Sequence, residues 1–259
     1  MQRLGVAGWP VAHSRSPAMH NAALAALGLA DWHYQLLPLP PDVLEETVRR
    51  LPELGFVGIN VTIPHKEAAL ALATSATDAA RAIGAANTLT FGAGGTIHAD
   101  NTDAPGFLAA LERSPAGRST LVLGAGGSAR AVVWALLQAG AAEVRVWNRT
   151  PGRAAALAAE LGARHDAEPQ PADLIVNCTS VGLAGERLDA LPITDLLGTA
   201  STVADLVYRE GGTALLAAAA ARGCETVDGI EILVRQGALS LAAWTGRDAP
   251  LDVMRAAAK

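Results

Sequence analysis

The sequence predicts an α/β protein in two domains, and three observations carry that expectation. A run of apolar and β-branched residues, Ser119-Thr120-Leu121-Val122-Leu123, enters a glycine cluster, and an apolar helical run over 131–137 follows at once. A second apolar strand, 143–147, comes one helix length later. The same strand–helix alternation already fills the first hundred or so residues, roughly enough chain for a domain of its own.

The cluster Gly124-Ala125-Gly126-Gly127-Ser128-Ala129 has the form of a dinucleotide-binding turn. Gly124 permits the sharp turn. Gly126 lets backbone N–H groups approach a pyrophosphate, and Ala129 still allows close helix–strand packing. The helix start then offers open donors and the positive end of its dipole. An ordinary β–α turn carries glycine too, so the second strand matters. It ends in Asn148-Arg149-Thr150, with Arg153 four residues beyond Arg149. An acid that would hold a ribose 2′-hydroxyl is missing there. Cations at a helix start are electrostatically unfavourable, so Arg149 and Arg153 are expected to face a 2′-phosphate. This predicts a Rossmann-type domain that prefers NADP to NAD.

Composition sets the outer limits. The 259 residues are 51% hydrophobic and 17% charged, enough to bury real cores. The alanine-rich stretches are broken by charge, so no membrane span or signal peptide is expected, and a net charge of −5 argues against nucleic acid as a partner. Cys178 and Cys224 form no metal or redox spacing, which fits a reducing cytoplasm and no metal site. The chain has 18 arginines but only two lysines, Lys66 and the terminal Lys259. Arginine does not release its proton near neutral pH and lysine can. Lys66 is therefore a candidate for proton transfer.

In the first half, strands are expected over 4–8, 32–37, 58–62 and 83–91, with helices over 16–27, 42–51 and 104–111. Ser16-Pro17 reads as a helix cap and first turn, which leaves Ser14 and Ser16 at a helix N-terminus suited to a carboxylate. Asn60, Thr62 and Lys66 gather at the end of the third strand, where open α/β sheets bind ligands. Asp103 lies near the N-terminus of a helix, and capping that helix is one reading of it in isolation. In the second half, strands are expected over 172–177 and 202–207, and helices over 212–221, 230–244 and 250–258.

Taken together, these blocks resemble the shikimate dehydrogenase family along nearly the whole chain. They are His13-Ser14-Arg15-Ser16-Pro17, Asn60-Val61-Thr62-Ile63-Pro64-His65-Lys66, Gly84-Ala85-Ala86-Asn87-Thr88, Asn101-Thr102-Asp103, the glycine cluster, Asn148-Arg149-Thr150, Asn177-Cys178-Thr179-Ser180, Asp205-Leu206-Val207-Tyr208, and Asp228-Gly229 with Gln236. The resemblance implies an N-terminal α/β substrate domain over 1–103, completed by returning C-terminal helices at 229–259, and a Rossmann NADP domain over 104–228. It implies reversible reduction of 3-dehydroshikimate to shikimate, with Lys66 and Asp103 as catalytic dyad. Ser14 and Ser16 would bind the carboxylate, and Asn60, Thr62, Asn87, Asp103, Tyr208 and Gln236 the rest of the substrate. Gly124 to Ala129, Asn148, Arg149, Thr150, Arg153, Thr179, Val207 and Gly229 would hold NADP. A monomer or homodimer in the cytoplasm is expected, without nucleic acid or membrane partners. A quinate- or aminoshikimate-type enzyme and a non-catalytic ligand sensor stay open as alternatives. Trp9, Glu231 and Ile232 depart from the residues usual in the family.

Overall fold

The computed structural model describes residues 1–185 and 188–259. The chain divides into two compact units, Met1–Gly106 with Val234–Lys259, and Phe107–Leu233.

The first unit opens with β1 (Gln2–Gly8), α1 (Ser16–Ala26), β2 (Trp32–Pro38), α2 (Leu44–Arg50) and β3 (Phe56–Val61). It continues through α3 (Lys66–Leu72), β4 (Ser75–Ala76), α4 (Asp78–Ile83), β5 (Thr88–Phe91), β6 (Ile97–Asp100) and the start of α5 (Asp103–Ala110). Its sheet runs β2-β1-β3-β5-β6-β4. β1 pairs in parallel with β2 and β3, whereas β5 is antiparallel to β3 and β6. Val61, Leu89 and Ala99 from three of these strands share a core with Val48 and Leu72 from the helices. α1 starts one residue earlier than its predicted cap allows. Arg15 holds the cap position, and Ser16 is a buried residue of the first turn beside Pro17. The expected strand over 83–91 is in fact two things. Ile83 ends α4, which Thr77 caps through the Ala80 N–H, and Gly84 turns the chain with φ +74° before β5 begins at Thr88. Small apolar residues over 83–86 fit either state, and the capping threonine decided it.

The second unit contains β7 (Ser119–Leu123), α6 (Gly127–Gln138), β8 (Glu143–Trp147), α7 (Pro151–Leu161), β9 (Arg164–His165) and β10 (Leu174–Asn177). β11 (Thr202–Asp205), α8 (Ala214–Ala220), β12 (Glu225–Val227) and the first turn of α9 (Gly229–Thr245) complete it. The sheet order is β12-β11-β10-β7-β8-β9 and every pair is parallel. This is the doubly wound arrangement, with the reversal of strand order between β7 and β10. Leu121, Val122 and Leu123 are fully buried, as are Leu174, Ile175 and Val176. Strands covered on both faces read as unbroken apolar runs, which is why these were visible in the sequence. Each such side chain contributes about 1.5–3 kcal/mol on burial.

From Val234 onward α9 belongs to the first unit, as does α10 (Leu251–Ala258), which packs against α1. Gly106 makes the approach of α5 to α9 possible, since a Cβ there would stand 2.7 Å from the Gln236 backbone. Among the described residues, no helix is long and apolar enough to cross a membrane.

Candidate active site

Lys66 is the first residue of α3 and Asp103 the first of α5. Their side chains meet, with Nζ 2.5 Å from Oδ2, and both are largely buried. α3 is anchored from behind by a 2.7 Å contact of the His65 ring nitrogen with the Leu39 carbonyl. Asp103, the first residue of α5, does not cap it, so the alternative capping reading of this residue does not hold. Asn101 caps the helix instead, its Oδ1 accepting from the Ala104 N–H at 3.2 Å. This leaves both carboxylate oxygens of Asp103 for side-chain donors. Oδ2 takes Lys66, and Oδ1 accepts from Asn87 Nδ2 at 2.8 Å. A lysine held against a fixed carboxylate can deliver or remove a proton at an oxygen placed within hydrogen-bond reach.

Asn87 is the hub around this pair. Besides Asp103, its Nδ2 lies 3.0 Å from Thr102 Oγ1 and 3.1 Å from Gln236 Oε1, so the fold brings Lys66, Asp103, Asn87 and Gln236 together. Its Oδ1 accepts from the Thr102 N–H at 2.7 Å. Asn60 joins from below, donating to the Asn87 carbonyl at 3.1 Å and to Ser240 Oγ at 2.8 Å. Its Oδ1 accepts from the Tyr34 hydroxyl at 2.8 Å. The Asn60 amide, expected to touch ligand, is thus engaged at both ends within the fold. Tyr34 is itself gripped by Asn21, whose side chain bonds the Tyr34 backbone carbonyl and N–H at 2.8 and 2.9 Å. The His20 ring stacks on Tyr34 with centroids 4.2 Å apart. It is fully buried, its two nitrogens lack hydrogen-bond partners among the described residues, and burial pushes it down to about 3.

Ser14 and Ser16 lie together at the start of α1, the Ser16 N–H 3.3 Å from Ser14 Oγ. Thr62 follows β3, and its N–H bonds the Ala7 carbonyl at the end of β1 at 2.8 Å. Thr62 therefore stands at the C-terminal end of β3, beside that of the parallel strand β1.

In the second unit the glycine turn behaves as its residues demand. Gly124 has φ +115°, and a Cβ there would stand 3.0 Å from the Cys178 carbonyl group. A Cβ on Gly126 would meet nothing within 4 Å, so the backbone is open on that side. Gly126 caps α6 without a side chain that would occupy the first-turn N–H groups. Asn148 closes the turn after β8 by bonding the Thr150 carbonyl at 3.1 Å, and Arg149 is exposed. Arg153 reaches back to the Ala125 carbonyl at 3.3 Å, which ties the start of α7 to the glycine turn. An open cradle, a helix start without a side-chain cap and two exposed guanidiniums suit a pyrophosphate with a further phosphate beside it. Thr179 follows β10, Val207 and the half-buried Tyr208 follow β11, and Gly229 begins α9 against the Val207 carbonyl. Among the described residues, no group of three or more His, Cys, Asp or Glu side chains could hold a metal.

Three family descriptions match this chain: the shikimate dehydrogenase substrate binding domain at residues 6–89, shikimate / quinate 5-dehydrogenase at 109–179, and the shikimate 5'-dehydrogenase C-terminal domain at 229–259. Shikimate dehydrogenase (NADP(+)) of Paracoccus denitrificans is 47% identical over 96% of this chain and 92% of its own length. The enzyme of that name from Methylobacterium radiotolerans is 48% identical over 94% and 91%. The chain belongs to the shikimate dehydrogenase family. The crystal structure of shikimate 5-dehydrogenase from Thermus thermophilus, in complex with NADP(H) and shikimate, superposes with a TM-score of 0.86. It shares 41% sequence identity, and the alignment covers 100% of this chain and 98% of that one.

Within this shikimate dehydrogenase fold, sequence reasoning passed over Tyr34, Thr102 and Ser240. Ser240 had a usable signal, one helical turn after Gln236 on α9, and Thr102 sits between two residues already singled out. Tyr34 had none, because its partner Asn60 is 26 positions away and on another strand.

Proposed function

We propose that this chain interconverts 3-dehydroshikimate and shikimate, using NADPH and NADP, as a small-molecule enzyme of the cytoplasm, monomeric or homodimeric. The single observation that carries the reading is the Lys66–Asp103 contact, buttressed by Asn87 and Gln236.

NADPH supplies the hydride when bound, held by the Gly124–Ala129 turn and the α6 start, with Arg149 and Arg153 on its 2′-phosphate. Asn148, Thr150, Thr179, Val207 and Gly229 border that site. The protein's own task is the proton. As the substrate carbonyl carbon becomes an alcohol carbon, its oxygen gains a proton from the Lys66 ammonium, and in the oxidising direction the neutral amine takes it back. Asp103 keeps Lys66 in line through Oδ2 and is itself kept from rotating by Asn87 on Oδ1. Ser14 and Ser16, at the α1 start, receive the substrate carboxylate. Thr62, Asn87, Asp103 and Gln236 receive ring hydroxyls, with Asn60 at their base.

Nicotinamide absorbance during oxidation of shikimate and of quinate, each with NADP and NAD, tests the reading. Turnover of shikimate with NADP well above the other three combinations is expected. Faster turnover of quinate makes the chain a quinate-type enzyme, and ligand binding without turnover makes it a sensor; either result overturns the proposal.

A further inference from the structure

Asp205, at the end of β11, is almost completely buried and accepts hydrogen bonds from three neutral groups on three different segments. Its Oδ1 takes Asn177 Nδ2 at 2.8 Å, from the end of β10, and the Val207 N–H at 3.0 Å, from the turn after β11. Its Oδ2 takes Thr213 Oγ1 at 2.8 Å, and Thr213 caps α8. Burial pushes the carboxyl up to about 6, against the pull of those three donors. A buried carboxylate held, among the described residues, by neutral donors alone costs stability, so its presence here calls for a reason.

The reason lies in what the donors hold. Asn177, oriented by Asp205, uses its own Oδ1 to accept from both the N–H and the hydroxyl of Thr179, at 3.0 and 2.7 Å. Thr179 Oγ1 then accepts from the Val181 N–H at 3.1 Å. The turn built this way is the one against which Gly124 packs closely, a Cβ there standing 3.0 Å from the Cys178 carbonyl group and 3.3 Å from the Thr179 nitrogen. One carboxylate therefore sets the turn after β10, the turn after β11 and, through Cys178, the seat of the glycine turn.

We infer that Asp205 is a positioning residue for NADP, fixing Thr179 and Val207 through its Oδ1 acceptor without touching the cofactor. A carboxylate suits this role better than an amide, because it accepts on both sides and has no wrong orientation. The role needs the acceptor and not the charge. Asp205→Asn keeps the Oδ1 acceptor and donates to the Thr213 hydroxyl, which rotates to accept. Asp205→Ala strands three buried donors.

The inference rests on the NADP reading of this unit, and titration calorimetry of NADP and, separately, of shikimate into the parent and both variants tells the two apart. A parent that fails to bind NADP defeats that reading itself. With a binding parent, Asp205→Ala is expected to weaken NADP about tenfold or more and Asp205→Asn no more than about threefold, shikimate affinity staying put in both. A purely structural role would lower the fraction of competent protein and leave the NADP dissociation constant unchanged. Asn177→Ser cuts the path to Thr179 alone, is expected to weaken NADP about fivefold, and decides the matter should Asp205→Ala not fold. NADP affinity at the parent value in the folded variants overturns the inference, as does equal loss in Asp205→Asn and Asp205→Ala.

Discussion

The Tyr34 hydroxyl donates to Oδ1 of Asn60 at 2.8 Å, and so decides which way the Asn60 amide faces. With the oxygen turned to Tyr34, the Nδ2 group must face the Asn87 carbonyl, Thr88 and Ser240. A residue on β2 thereby steadies the backbone of the residue that bonds Asp103. Tyr34→Phe removes one hydroxyl and leaves a buried acceptor unpaired, costing about 1–3 kcal/mol of stability. The expected kinetic effect is a several-fold drop in kcat/KM for shikimate with the KM for NADP unchanged, read from steady-state kinetics and urea unfolding. Unaltered shikimate kinetics would show that the Asn60 amide holds its orientation without Tyr34.

Lys66 offers a sharper separation. If it contributes charge alone, Lys66→Arg retains much of the activity. If it transfers a proton, arginine fails nearly as badly as alanine, because a guanidinium does not give up its proton. The second outcome is expected, with turnover down about 100-fold or more in Lys66→Arg, Lys66→Ala and Asp103→Asn. Substrate binding should survive in part, so the loss belongs mainly to kcat. Circular dichroism checks the fold. A Lys66→Arg enzyme within a few-fold of the parent would leave Lys66 as a positioning charge.

Arg149 is expected to set cofactor choice. It is exposed after β8, and no acid stands at that strand end to take a ribose hydroxyl. A charge-assisted contact to phosphate contributes about 1.5–3 kcal/mol, so the parent should prefer NADP over NAD by at least about tenfold in kcat/KM. Arg149→Ala should lose most of that preference, chiefly through the KM for NADP. Equal use of the two cofactors by the parent refutes the assignment.

His20 makes stability depend on pH. Burial lowers it to about 3, against an ordinary value of 6.5. Above pH 6.5 both folded and unfolded chains carry it neutral and it has no effect. Between about 6.5 and 3 the unfolded chain binds a proton that the folded chain refuses, so stability falls as the pH falls, by about 1.4 kcal/mol per unit. Asp205, raised by burial, acts in the opposite sense between its ordinary 3.8 and about 6, favouring the folded state as the pH falls. The difference between the parent and His20→Leu therefore isolates the histidine. Urea midpoints at pH 7 and pH 5 should drop less in His20→Leu than in the parent. Parallel drops would mean that His20 gains a proton without unfolding the chain.

The sequence by itself determined the elements whose causes are local. Gly124 at φ +115°, the bare cap at Gly126 and the apolar strands on either side announced the doubly wound unit, because turn geometry and two-sided burial leave their mark on consecutive residues. Lys66 was legible as a candidate for proton transfer for a similar reason, since one internal lysine among arginines is a property of composition. Tertiary structure alone decided which groups those residues meet. Asp103 was free for Lys66 only because Asn101 took the cap, and Asn60 turned inward only because β2 brought the Tyr34 hydroxyl to it. Asp205 gathered donors from β10, its own turn and the start of α8. A hydrogen bond depends on direction within a few tenths of an ångström. The partners here lie far apart in the chain, 37 positions for Lys66 and Asp103 and 180 for Asn60 and Ser240. Periodicity reports which face a side chain occupies; only the packed sheets and helices fix where its polar atoms point.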